Sequence, residues 1–88
     1  MYILRFHKRV KKFIESKDKK TKDRFKKILL ELAKNPFPSN PNINAKKLKN
    51  EIPNKFRLII GKYRFLYFII DDFEIVIEKA DSRGDIYK

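Results

Sequence analysis

The stretch Lys55-Phe56-Arg57-Leu58-Ile59-Ile60-Gly61-Lys62-Tyr63-Arg64-Phe65-Leu66-Tyr67-Phe68-Ile69-Ile70-Asp71-Asp72 decides the fold. β-Branched and aromatic residues dominate it, and two short breaks, Gly61-Lys62 and Asp71-Asp72, carry turn-forming residues. With Phe73–Lys79 beyond them, this predicts three strands, Lys55–Ile60, Tyr63–Ile70 and Phe73–Lys79, joined as an antiparallel meander. With Gly61-Lys62 as a two-residue loop, Ile60 faces Tyr63, Leu58 faces Phe65 and Phe56 faces Tyr67. These six share one side of the sheet. Lys55, Arg57 and Arg64 then share the other side with Leu66, Phe68 and Ile70, and no acid of these two strands joins them. A two-residue turn at Asp71-Asp72 would put Phe73, Ile75 and Ile77 on the basic side. The last strand therefore requires a bulge or an odd loop.

Upstream the period changes. Tyr2–Phe6 reads as a first strand. Phe6, Val10, Phe13, Ile14 and Lys17 then fall on one helical face, with Lys8, Arg9, Lys11 and Lys12 opposite. Ser16–Asp18 breaks this helix, and Asp18 is placed to cap a second one. The second helix runs to about Lys34 with Phe25, Ile28, Leu29 and Leu32 inward, and Asn35-Pro36 stops it. Asn35–Pro53 reads as a loop with a helical turn at Ala45–Asn50, and Asp81–Lys88 as a tail leaving the sheet. The expected fold is α+β: an N-terminal strand, a helical hairpin, then a three-stranded antiparallel meander, with the helices on one face of a four-stranded sheet. At 88 residues the chain suffices for a single domain, 1–88.

Charge narrows the function. There are 23 Lys and Arg against 11 Asp and Glu, a net +12. Such an excess repels itself in a compact state and points to a polyanionic partner. Nucleic acid comes first, an anionic membrane surface second and an acidic protein third. The absence of cysteine excludes disulfides, thiolate metal sites and thiol nucleophiles. The charged Met1–Lys17 has no signal-peptide character, and Phe65–Ile70 is too short to span a bilayer, so a cytoplasmic location is expected.

The central stretch resembles the signature of the RelE/ParE toxin superfamily, in which a basic strand runs into a Gly-x-Tyr-Arg-x-x-Tyr hairpin. An acidic turn, a further strand and an Arg-x-x-x-Tyr tail follow. Gly61-Lys62-Tyr63-Arg64-Phe65-Leu66-Tyr67, Asp71-Asp72 and Arg83-Gly84-Asp85-Ile86-Tyr87 match these in order, and Ala45–Asn50 resembles the Lys-Leu-x-Gly element that precedes them. The RelE class consists of ribosome-dependent endoribonucleases that cut mRNA in the ribosomal A site. The resemblance implies Lys55, Arg57, Arg64, Arg83 and Tyr87 as the catalytic set. It also implies the ribosome, mRNA and a RelB-type acidic antitoxin as partners, with assembly up to a toxin–antitoxin heterotetramer, and no membrane partner. Arg57 stands where some members have Lys, and Ser82 where many have His. Lys46, Lys47, Lys49 and Lys62 are further candidates for RNA-backbone contact.

The residues suit that chemistry. RNA can be cut by its own 2′-hydroxyl, given a base, positive charge on the phosphorane and a proton for the leaving oxygen. The single histidine, His7, excludes two-histidine catalysis and reads as a surface or capping residue. Lys55 and Tyr87 remain as candidate bases, since neighbouring cations favour a neutral amine and an ionised phenol. Arg57, Arg64 and Arg83 would stabilise the pentavalent phosphate. No cofactor or metal is expected, and Asp71-Asp72 reads as a turn rather than a cation site. Three alternatives accompany this reading: a ParE-like gyrase poison, a non-catalytic basic nucleic-acid-binding module, and an inactive member kept as an antitoxin partner. A solvated basic sheet face is the structural alternative for the cluster itself, and the helix lysines read as RNA-docking or simply solvated.

Overall fold

In the computed structural model, which describes residues 1–48 and 55–82, the alternating stretch forms the middle of a five-stranded sheet. The described elements are β1 (Ile3–Phe6), α1 (Lys8–Glu15), α2 (Lys19–Lys34), β2 (Asn44–Lys47), β3 (Lys55–Ile60), β4 (Tyr63–Ile69) and β5 (Glu74–Ser82). The strand order is β1-β5-β4-β3-β2; β1 runs parallel to β5 and the other pairs are antiparallel. The hairpin register is the one the two-residue loop dictates, with Ile60 opposite Tyr63 and Phe56 opposite Tyr67. Gly61 takes φ +60, and a Cβ there would lie 2.8 Å from the Arg24 guanidinium. Left-handed backbone and a close neighbour together demand glycine at this turn.

Both helices lie on one face of the sheet. Val10, Phe25, Leu29 and Leu32 meet Leu58, Ile60, Phe65, Tyr67, Ile75 and Ile77 in one contiguous buried cluster. Phe25 sits edge-on to Phe65 and Tyr63, with ring centroids 5.1 Å apart in each pair. His7 caps α1, its Nδ1 accepting from the Arg9 N–H, and Asp18 caps α2, accepting from the Thr21 N–H at 2.9 Å. The Thr21 side chain and N–H, with nearby Lys20 and Lys22, hold the Asp18 carboxyl below its ordinary value.

Two expectations are corrected. Residues 44–47 form a strand, not the start of a helical turn, and make the sheet five-stranded among the described residues. Asn-Ala-Lys-Lys has little strand propensity of its own; it is ordered by pairing with β3, Lys46 opposite Arg57 and Ala45 opposite Leu58. The segment before it is likewise built rather than loose. Buried Asn40 donates to the carbonyls of Glu31 and Asn35, closing the end of α2, and accepts from the Asn42 N–H. The Tyr67 hydroxyl donates to the Pro36 carbonyl at 2.6 Å, tying the loop to the sheet.

The second correction concerns β5. It starts at Glu74 and runs to Ser82, so residues 81 and 82 belong to the sheet. Asp71 Oδ1 accepts from the N–H groups of Phe73 and Glu74, and Ile70 N–H donates to the Glu74 carbonyl, giving a three-residue loop. This odd length turns Ile75 and Ile77 toward the helices. A bulge follows: Tyr67 pairs with Ile77 but Leu66 with Lys79, leaving Glu78 as the extra residue. Ala80 thereby returns to the core.

Candidate nucleic-acid interface

Pleating sends alternate side chains of β3 and β4 away from the helices. On that open face Lys55 stands beside Phe68, Arg57 beside Leu66, and Arg64 beside Ile59. β2 adds Lys46 next to Arg57. Lys46, Lys55, Arg57 and Arg64 thus share one surface. Around them Ile59, Leu66, Phe68 and Val76 are half-buried, so an apolar strip runs through the cations.

The cations differ in their company. Arg57 Nε is buried and has no hydrogen-bond partner among the described residues. A desolvated donor left unsatisfied costs roughly 1–3 kcal/mol, which an incoming acceptor would recover. Neither Arg57 nor Arg64 is in an ion pair among the described residues. Asp81 lies opposite Arg64 in register, but its carboxylate is 3.7 Å from Lys79. Lys55 is different: its ammonium lies 2.9 Å from Glu78 Oε1 and 5.2 Å from the Phe68 ring centroid. The expectation of a face without acids holds for β3 and β4. β5 adds a carboxylate of its own, because the three-residue loop that turns Ile75 and Ile77 to the core leaves Glu78 on the open side.

The remaining candidates lie elsewhere. Lys47 pairs with core-facing Phe56, which puts it at the exposed sheet edge on the helix side. Lys62 is in the β3–β4 turn, its ammonium 5.6 Å from the ring centroid of Tyr63, a helix-side residue. Lys49, Arg83 and Tyr87 lie outside the described residues. Phe68 takes the place on this face that the two-residue loop predicts, and Glu78 is the member whose contact with Lys55 sequence reasoning passed over. The signal for Glu78 was the phase conflict in the last strand: an odd loop that sends Ile75 and Ile77 to the core sends Glu78 to the basic side. No group of three or more metal-ligating side chains occurs among the described residues.

The helix side carries a separate concavity. An apolar groove of about 530 Å³ runs between β1, α1 and α2, floored by Leu4, Phe6, Ile14, Leu29 and Leu30 and rimmed by Lys11, Lys22 and Lys26. Among the described residues, no helix is long and apolar enough to cross a membrane.

No protein-family model matches the chain. A Methanocaldococcus jannaschii protein carrying the toxin name RelE1 is 34% identical over 83 residues, which is 93% of this chain and 90% of that one. A chain of the archaeal RelE–RelB complex from Pyrococcus horikoshii superposes with a TM-score of 0.78 at 28% identity, covering 94% of this chain and 96% of that chain. The isolated Escherichia coli RelE toxin shares the fold, with a TM-score of 0.76 at 22% identity over 99% of this chain and 92% of that one.

Proposed function

This chain belongs to the RelE toxin family, and from that premise we propose that it is a ribosome-dependent endoribonuclease that cuts mRNA in the A site and stops translation. The observation that carries the reading is the grouping of Lys46, Lys55, Arg57 and Arg64 on one open sheet face, with Arg57 Nε unpartnered among the described residues. In the proposed step the 2′-oxygen forms a bond to the adjacent phosphorus and the bond from phosphorus to the 5′-oxygen breaks. The 2′-hydroxyl proton goes to a base, and another proton reaches the departing 5′-oxygen. Arg57 and Arg64, with Arg83 from the tail, hold the equatorial oxygens of the phosphorane. Lys55 and Tyr87 are the candidate bases. No step uses a metal or cofactor.

The partner proposed for the free toxin is an acidic RelB-type antitoxin. Solved relatives are RelE–RelB complexes, and two features of this chain support the same pairing. One is the net charge of +12. The other is the apolar groove with its rim of lysines, which suits an amphipathic acidic segment that orders on binding.

The test is primer extension on mRNA in translating ribosomes. Wild-type protein is expected to produce A-site cuts, and Arg64→Ala to slow them by about 10²–10³-fold with an unchanged circular dichroism spectrum. Deoxyribose at the cut position should block the reaction. Cleavage of that deoxy substrate, wild-type rates in Arg64→Ala, or inhibition of gyrase with ribosomes untouched would each overturn the proposal.

A further inference from the structure

The reading above leaves Glu78 without a role, yet three features of the sheet converge on it. It is the extra residue of the β5 bulge. Its carboxylate meets Lys55 at 2.9 Å. The contact bridges β3 and β5, which are not neighbours, so the side chains meet across the intervening β4, with the Lys55 ammonium over the Phe68 ring. Ion pairs on open surfaces contribute little and hold little. This one is half-buried, with the Lys55 side chain 16% exposed and that of Glu78 32% exposed. Bulges commonly re-aim a side chain beside a functional site.

We infer that Glu78 is the positioning residue of the cleavage face, fixing the Lys55 ammonium beside Arg57 and Arg64 for contact with an RNA phosphate. The inference rests on the endonuclease reading. An unrestrained lysine at Lys55 would sample several rotamers, repelled by the neighbouring cations. The carboxylate on its far side and the ring beneath it reduce these to one. In this scheme the work of Lys55 is to hold phosphate charge alongside Arg57 and Arg64. Glu78 itself makes no contact with RNA in this scheme and acts only through Lys55.

The experiment is a double-mutant cycle in the ribosomal cleavage assay, with Glu78→Gln, Glu78→Asp, Lys55→Ala and Glu78→Gln/Lys55→Ala. At saturating ribosomes, Glu78→Gln is expected to lower the cleavage rate by about 10²-fold, the scale of a misplaced catalytic group. The half-saturating ribosome concentration and the melting temperature should stay at wild-type values. Glu78→Asp should restore part of the rate. In the Lys55→Ala background, Glu78→Gln should change the rate less than about twofold, since coupled residues are not additive. Glu78→Gln at or above the wild-type rate would overturn the inference while leaving the endonuclease reading intact. So would independent, multiplying losses in the double variant, or a loss that tracks melting temperature. Absence of cleavage by wild-type protein would overturn both.

Discussion

Tyr67 shows how much a single side chain settles here. It is the largest fully buried residue among those described, stacks on Phe56 and donates its hydroxyl to the carbonyl of Pro36. Burial pushes its phenol well above the ordinary tyrosine value. The folded state therefore keeps the proton, while the unfolded chain releases it near pH 10. The associated stabilisation is complete below about pH 10 and is lost progressively as pH rises beyond it. Denaturant melts at pH 8 and pH 11 should show a fall in stability that is smaller in Tyr67→Phe, which has no proton to lose. At pH 8 the same variant should be weaker by about 1–3 kcal/mol, because the buried carbonyl of Pro36 loses its donor. Equal pH dependence in the two proteins would show that Tyr67 does not control alkaline unfolding.

At the scale of elements, the bulge in β5 makes a sharper claim. Removing Glu78 would leave Ile77 opposite Tyr67 and Lys79 opposite Leu66 with nothing between them, a regular ladder that still sends Ala80 inward. A chain lacking Glu78 should therefore fold, with stability within about 1 kcal/mol of wild type by thermal melting, the scale of one half-buried ion pair at the sheet surface. Failure to fold would mean that the bulge supports the core. The same bulge marks where sequence reading stopped. The β3–β4 register and the sharing of one face by Lys55, Arg57 and Arg64 followed from a two-residue loop and period two, because pleating leaves no freedom once Gly61-Lys62 is placed. The caps His7 and Asp18 followed from local chemistry. β2 did not follow, since Asn44–Lys47 is ordered by its neighbour rather than by its own residues. The Glu78 contact did not follow either, because the length of the loop after Ile70 sets the face of every early β5 side chain and its residues do not announce that length.

The whole molecule separates two charged surfaces. The open sheet face carries Lys46, Lys55, Arg57 and Arg64, while Lys11, Lys22 and Lys26 rim the groove on the helix side. The shortest principal extent of the protein is 26 Å, several times the Debye length of about 8 Å at physiological salt. Charges on the two sides are thus screened from one another, and each surface should bind its own polyanion independently. Titrating a short single-stranded RNA by fluorescence anisotropy at several salt concentrations reads this directly. Each phosphate contact on a single strand contributes about 0.7 to the slope of log affinity against log salt. Arg57→Gln and Arg64→Gln should each reduce the slope by about that much. Replacing Lys11, Lys22 and Lys26 together by Gln should leave the RNA slope unchanged while weakening capture of an acidic antitoxin segment. If the groove-side triple variant lowers the RNA slope as far as the sheet-face variants do, RNA is held by net charge alone and the open face has no special claim to it.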